Sequence, residues 1–500
     1  MRGIYTPVTN LRRQVFAEIA KLAYEGGDYS RIEEIPYKII PGEVPTYRDS
    51  VFKERAIVGE RLRLAIGLPL RRADEHAPVS KGVNESAVDK RVYEPPLVNV
   101  ISFACNACEE KSYRVTDNCQ GCLAHPCVSV CPVKAVKLVN GKSTIDQEKC
   151  LKCGRCKEIC PYNAIVKNER PCAAACGVDA IESDHLGRAT INYEKCVSCG
   201  QCLVSCPFGA IADKSQIFQL IHAIKTGEEV IAEVAPAFVG QFGPLVTPQR
   251  LKEALKQLGF SDVYEVAIGA DIGAVEEAHH YAHNVATGEQ AFLATSCCPS
   301  WSVMAKTQFP ELASCVSDAL TPMVATARII KKEHPNARVV FIGPCASKKL
   351  EASRRTVRSD VDFVITFEEL MGMFVAKEID FGDMEGEEMV DATAAGRGYA
   401  VAGGVADAIV ESIHELYPDL QVQVDRAEGL RNCKKMLAIA KAGKRNGFLL
   451  EGMACPGGCI AGAGTLQPIN KAVAAVKGFQ QDAPLKEAVE SPRIKQMQDE

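Results

Sequence analysis

The chain has 500 residues, 47% hydrophobic and 24% charged, with a net charge of -5 at pH 7. That is ordinary for a soluble globular protein of two to four domains, and nothing in it points to a nucleic-acid partner. The anomaly is the count of 23 cysteines.

The first residues, Met1 to Pro7, lead into the charged Leu11-Arg12-Arg13-Gln14 without an apolar signal core. No run is long enough for a transmembrane helix, so no membrane association is expected. Many cysteines are two residues apart, which suits metal better than disulfide pairing. Free thiolates of this kind imply a reducing, cytoplasmic setting.

Residues 1–95 contain no cysteine. Asn10 to Tyr24 and Arg48 to Ile66 carry helical periodicity, and they predict a helical collar packed on the rest.

Sixteen cysteines fall between Cys105 and Cys206, within a predicted unit of residues 96–215. The region is an internal repeat. Four half-units, Cys127 to Val136, Cys156 to Ile165, Cys172 to Ile181 and Cys202 to Ile211, share one pattern. It is Cys-x3-Cys, then Pro or Gly, two residues, Ala, and Ile or Val. Cys150-x2-Cys153-x2-Cys156-x3-Cys160-Pro161 and Cys196-x2-Cys199-x2-Cys202-x3-Cys206-Pro207 have the spacing of two-cluster ferredoxins. There, three thiolates hold one 4Fe–4S cubane and the fourth reaches a second. Cys119-x2-Cys122-x4-Cys127-x3-Cys131-Pro132 is a variant with a widened gap. Zinc is the alternative for CxxC pairs, although four zinc sites built on this pattern would be unusual. Cys172-x3-Cys176 lacks a preceding CxxC, and Cys105-x2-Cys108 lacks a following Cys-x3-Cys. Each supplies what the other lacks, so a ferredoxin unit split by insertion of a second is expected.

The two-cluster rule then distributes the thiols. Cys119, Cys122, Cys127 and Cys160 take one cluster, and Cys131, Cys150, Cys153 and Cys156 the next. Cys176, Cys196, Cys199 and Cys202 take a third. Cys105, Cys108, Cys172 and Cys206 remain for the fourth.

Beyond Ile211 the cysteines thin out. Val230 to Val234, Val263 to Val266, Ala291 to Ala294, Val339 to Ile342, Phe363 to Ile365 and Phe448 to Leu450 read as buried strands. Helical stretches such as Trp301 to Thr307 and Glu368 to Val375 alternate with them. Residues 216–485 are therefore expected to be an α/β domain with largely parallel sheet, preceded by the α+β ferredoxin-like domain and the helical N-terminal region. Ligands in such sheets sit beyond the carboxyl ends of the strands. Three segments fall there: Cys297-Cys298-Pro299-Ser300-Trp301, Pro344-Cys345-Ala346-Ser347-Lys348-Lys349, and Glu451 to Cys459. The charged residues 486–500 read as a loose tail.

These three segments resemble the signature segments of FeFe hydrogenases, with a match covering roughly Val230 to Asn470. The resemblance implies an H-cluster, a 4Fe–4S cubane joined to a two-iron subsite with CO, cyanide and azadithiolate. It implies reversible reduction of protons to H2. Cys298, Cys345, Cys455 and Cys459 resemble the cubane ligands, and Cys459 takes the bridging position. Cys297 resembles the non-ligating proton-transfer thiol, Lys348 the residue that binds a cyanide, and Met453 the methionine at the subsite. Glu277 resembles the buried acid beside the thiol, and Ser317 the relay serine.

The chain departs from the family at several positions. His280 stands where many members have glutamate, and Asn284 where they have arginine. Ala235-Pro236-Ala237 has alanine where a serine often donates to a cyanide. Met323 replaces a glutamine, and Gly343 a methionine. Pro236, Ala237 and Met323 are still expected to line the subsite, and His280 could still relay protons. Cys315 and Cys433 match no ligand position and read as buried thiols.

The implied partners are a soluble electron carrier such as ferredoxin, hydrogenase maturation proteins, and H2 and protons as substrates. No Rossmann glycine fingerprint or flavin motif is present, so direct use of NADH is not expected. Two other functions share much of the pattern. One is a hydrogen sensor, and the other is a non-catalytic relative in iron–sulfur assembly. Sensors usually add an output domain and often lose the thiol at the position of Cys297.

Overall fold

A computed structural model describes residues 4–499 apart from 73, 89–92, 355, 358, 359, 390 and 391. The amino-terminal region is helical, as its periodicity predicts. Helix α1 spans Pro7–Glu25, with Pro7 at its first position and the Thr6 hydroxyl accepting from the Thr9 amide. Helix α2 spans Val51–Ala65. The apolar stripe of α1, including Phe16, Ile19 and Leu22, is buried. Each such side chain contributes roughly 1.5–3 kcal/mol by leaving water.

The cysteine-rich region is built from short antiparallel pairs. Val98–Val100 pairs with Ile211–Asp213, enclosing everything between. Ser112–Val115 pairs with Ile165–Asn168, enclosing the inner motifs. Two hairpins, Val136–Val139 with Lys142–Ile145 and Ile181–Ser183 with Ala189–Ile191, complete it. One pairing is thus nested inside the other.

The remainder is α/β. Its elements are β1 (Val230–Val234), β2 (Asp262–Glu265), α3 (Ala267–His280), β3 (Leu293–Ala294), α4 (Pro299–Gln308), α5 (Pro322–Glu333), β4 (Arg338–Gly343), α6 (Ala346–Ala352), β5 (Phe363–Thr366), α7 (Phe367–Ala376), β6 (Gln423–Glu428), β7 (Phe448–Met453) and α8 (Pro492–Asp499). The strands form two parallel sheets. One has the order β2-β1-β4-β5, and the other β3-β7-β6. In the first, Val234 pairs with Glu265 and with Ile342. In the second, Leu293 pairs with Leu449. Helix α1 crosses α7 at Gly372, where a Cβ would lie 2.8 Å from the Phe16 backbone carbon. Glycine permits that approach.

Two features differ from expectation. Strand β6 was not anticipated, because Gln423 to Glu428 is largely polar and only Ala427 is buried. The expected tail instead contains α8, whose Ile494 is buried in a cluster with Ala274 and Val405. Among the described residues, no helix is long and apolar enough to cross a membrane.

Candidate metal centre

Four strand ends of the two sheets deliver loops to one cavity. Strand β1 delivers Pro236 and Ala237, β3 delivers Cys297 and Cys298, β4 delivers Cys345, and β7 delivers Cys455 and Cys459. Lys348, Met453 and Met323 also line it. The chemistry-bearing residues of the three segments therefore face one space.

Cys298 and Cys345 each cap a helix amino terminus, of α4 and α6. Amides of Ser300, Trp301 and Ala454 are aimed at the Cys298 thiol, and those of Ser347 and Lys348 at Cys345. Burial nevertheless pushes Cys345 up to about 11 and Cys459 up to about 12. Without metal these thiols stay protonated at neutral pH, and binding a cationic cluster displaces the protons. At Gly458, φ is +89° and a Cβ would sit 2.5 Å from the Ala402 amide nitrogen. Any larger residue would force the 455–459 loop away from the turn behind it. Four thiols, donor amides and a loop of this closeness fit an iron–sulfur cluster with a further group beside it.

Burial opposes a charge on Lys348, but Glu351 outweighs it and raises the ammonium above its usual range. Lys348 Nζ donates to Glu351 Oε2 at 2.7 Å, and Thr321 Oγ1 donates to Glu351 Oε1 at 2.8 Å. The cavity thus has a fixed positive charge on one wall.

Cys297 continues inward to Glu277. Burial, then the nearby Glu277 charge, lifts the thiol well above its ordinary value. Burial likewise pushes Glu277 up to about 7, while a hydrogen bond from Ser317 works in the other direction. Thiol, carboxyl and hydroxyl thus influence one another's protonation in sequence. His280 lies further along α3 and faces elsewhere: its Nε2 is 2.9 Å from Gln290 Oε1, and its carbonyl accepts from Asn284 at 3.2 Å. Cys315 and Cys433 are both buried. The Cys433 thiol donates to the Ala427 carbonyl at 3.4 Å.

The upstream thiols also gather in sets. Cys105, Cys108, Cys172 and Cys206 line one pocket of about 330 Å³. Cys119, Cys122, Cys127 and Cys160 line another of about 360 Å³. Cys202 is electrostatic neighbour to Cys199, Cys196 and Cys176, and Cys156 to Cys150 and Cys153. The third residue of the first CxxC in each motif is left-handed: Ala107, Gly121, Lys152 and Ser198, with φ between 47° and 59°. Single non-glycine residues in this region cost about 1 kcal/mol or more, so the turn is imposed by its surroundings. The incomplete Cys105 motif makes it too. Amides of Ala135, Ala180 and Ala210 donate to Cys131, Cys176 and Cys206 sulfurs at 3.2 to 3.4 Å, and these alanines are buried, which favours a small apolar side chain.

Several functional residues carried no sequence signal. Buried Arg170 donates from Nε and Nη2 to the Cys108 carbonyl at 3.1 and 3.0 Å, tying the two ends of the split unit together. Gln201 donates to Cys455. Tyr399 lines the cavity. None belongs to a recurrent spacing, so only the fold reveals them.

Comparison with known proteins agrees with this geometry. Residues 228–463 match the family described as iron only hydrogenase large subunit, C-terminal domain. Residues 119–170 and 166–217 match the LdpA Fe-S cluster-binding domain. The chain is 27% identical over 450 residues to Iron hydrogenase 1 of Clostridium pasteurianum, covering 76% of each chain. It is 28% identical to the periplasmic [Fe] hydrogenase large subunit of Nitratidesulfovibrio vulgaris, covering 65% of this chain and 86% of that one. It is also 25% identical to Protein NAR1 of Arabidopsis thaliana, covering 51% and 69%.

Proposed function

We propose, for a chain that belongs to the FeFe-hydrogenase-like family, that it interconverts H2 with protons and electrons at an H-cluster. The observation that carries this reading is the buried Cys297 thiol, within electrostatic reach of buried Glu277, at the wall of a cavity that Cys298, Cys345, Cys455 and Cys459 also line. An iron–sulfur assembly factor has no need of a buried thiol–carboxyl pair aimed at its cluster.

When bound, the H-cluster supplies the redox-active irons at which H2 is made or split. The protein's own residues do the rest. Cys298, Cys345, Cys455 and Cys459 would hold the cubane, with Cys459 in the position nearest the two-iron subsite by resemblance. Lys348 donates to an anionic ligand there, while Met453, Met323, Pro236 and Ala237 exclude water. Cys297 exchanges a proton with the cavity and passes it to Glu277, whose elevated pKa suits transfer near neutral pH, and Ser317 takes it outward. An exit through His280 requires a further link between Ser317 and that residue.

The cysteine sets described above would hold four 4Fe–4S clusters, which would supply a path for electrons. Cys199 lines the cavity itself, so the third of these clusters is the one adjacent to the site. A soluble carrier such as ferredoxin in the cytoplasm supplies or removes them, and maturation proteins install the subsite. The sensor reading is the second choice, because the cavity walls at Ala235 and Met323 offer no polar contact. Infrared spectroscopy after maturation tests the proposal. Bands in the CO and cyanide stretching region are expected, and their absence in cubane-loaded protein would favour an assembly role.

A further inference from the structure

Three polar side chains other than thiols line the cavity: Lys348, Ser300 and Tyr399. Two already have a protein partner. Lys348 is paired with Glu351 at 2.7 Å. Ser300 Oγ donates to the Val197 carbonyl at 3.1 Å. The Tyr399 hydroxyl is buried and has no hydrogen-bond partner among the described residues. A buried phenol usually finds a partner, and an orphan in a cavity wall points to a group that occupies the cavity.

Tyr399 is also held rigidly. It follows the short helix Ala394–Gly398. Arg397 of that helix is anchored to Glu265 by two bonds of 3.0 and 2.8 Å and to the Met389 carbonyl at 2.8 Å. On the other side, the Ala400 carbonyl accepts from the Ile460 amide at 3.1 Å, and Ala402 donates to the Gly457 carbonyl at 3.2 Å. The residue is therefore locked to the loop that carries Cys459. The side chains of Ala235, Pro236, Ala237 and Met323, which also line the cavity, carry no donor. Burial, with Glu277 and Cys297 nearby, keeps the phenol protonated, so it can only donate or accept as a neutral group.

We infer that Tyr399 is a further catalytic residue of this site, whose hydroxyl donates a hydrogen bond to a small anionic ligand, of the cyanide type, on the bound iron group. The inference rests on the hydrogenase reading and adds to Lys348 a second, neutral donor on a different wall. It makes Tyr399 a determinant of electron density at the irons.

The test is Tyr399→Phe in the matured holoprotein, read by infrared spectroscopy. Loss of a donor to a metal-bound cyanide should move a cyanide band to lower wavenumber, with the CO bands following. Superimposable wild-type and variant spectra would overturn the assignment, even if the pH profile of turnover changed. If the variant does not take up the subsite, 3-fluorotyrosine placed at position 399 keeps the packing and strengthens the donor. A cyanide band should then move to higher wavenumber, and an unmoved band again overturns the inference. A wild type without CO or cyanide bands would sink the functional reading beneath it. Normal wild-type bands with unshifted variants would sink the Tyr399 assignment alone.

Discussion

Gln201 Nε2 donates a hydrogen bond to Cys455 Sγ at 3.2 Å. Gln201 sits between Cys199 and Cys202 of the last ferredoxin-like motif, and Cys455 is a proposed ligand of the catalytic cubane. A side chain of the proposed electron relay would thus stabilise negative charge on a sulfur of the proposed catalytic cubane. Gln201→Leu should lower the midpoint potential of that cubane. A net hydrogen bond near 1 kcal/mol converts to a ceiling of roughly 40 mV for one electron. Redox titration followed by electron paramagnetic resonance checks this, and an unchanged potential would show that the contact does not reach the cluster.

Cys297→Ala should keep the bound cluster, because the thiol is proposed as a proton carrier and not a ligand, and lose turnover by about 10²- to 10⁴-fold, the usual scale of a positioned acid or base. Cys459→Ala should fail to retain the two-iron subsite. Infrared bands and H2 turnover measured on both variants separate the two roles. Full activity in Cys297→Ala would remove the thiol from the proton route.

Burial pushes the Glu277 carboxyl up to about 7, so the direction of catalysis should depend on pH. Below that value the carboxyl carries the proton that reduction consumes. Above it, the carboxylate accepts the proton that oxidation releases. Proton reduction should therefore fall, and H2 oxidation rise, as pH passes through about 7. Glu277→Gln should lose both rates and flatten both profiles. His280→Ala is expected to slow turnover only if a link from Ser317 reaches it. Unaltered profiles for that variant would fit its hydrogen bond to Gln290.

The split ferredoxin gives a prediction about metal content. Cys105→Ser and Cys172→Ser should disturb the same paramagnetic signal, since both thiols line one pocket. The holoprotein should contain about 22 irons per chain, counting four per cubane and two in the subsite. Three accessory cubanes, or different signals lost in the two variants, would contradict the split-unit assignment.

Stability should also respond to pH at Asp271. Its carboxyl is buried and pushed up to about 7, against hydrogen bonds from Thr393 and Gly396 that favour its charge. In the unfolded chain an aspartate titrates near about 3.9. The folded state therefore binds the proton more tightly, and stability falls as pH rises from about 4 to about 7, by on the order of 4 kcal/mol. Asp271→Asn should flatten that slope in urea unfolding of the holoprotein. A slope as steep as wild type would mean that other carboxyls carry it.

Much of the site was legible because cysteine spacing encodes geometry. CxxC with Cys-x3-Cys specifies a loop around a cluster, and the Cys105 and Cys172 fragments could be joined because each lacked the other's half. Buried parallel strands such as Val230–Val234 were legible from their apolar runs. Strand β6 was not, since Gln423, Asp425 and Arg426 sit on an exposed edge, paired on one side only. Arg170, Gln201 and Tyr399 were illegible for another reason. Each acts through a contact with a residue far off in sequence, and none repeats.

The central claim is that the cavity performs H2 chemistry, and the direct measurement is turnover by holoprotein matured with the complete two-iron subsite. Reduced dye should drive H2 evolution, and an oxidised dye should support H2 uptake, both over many cycles per cluster and both lost in Cys297→Ala. A fully loaded protein that gives no sustained turnover in either direction would contradict the account.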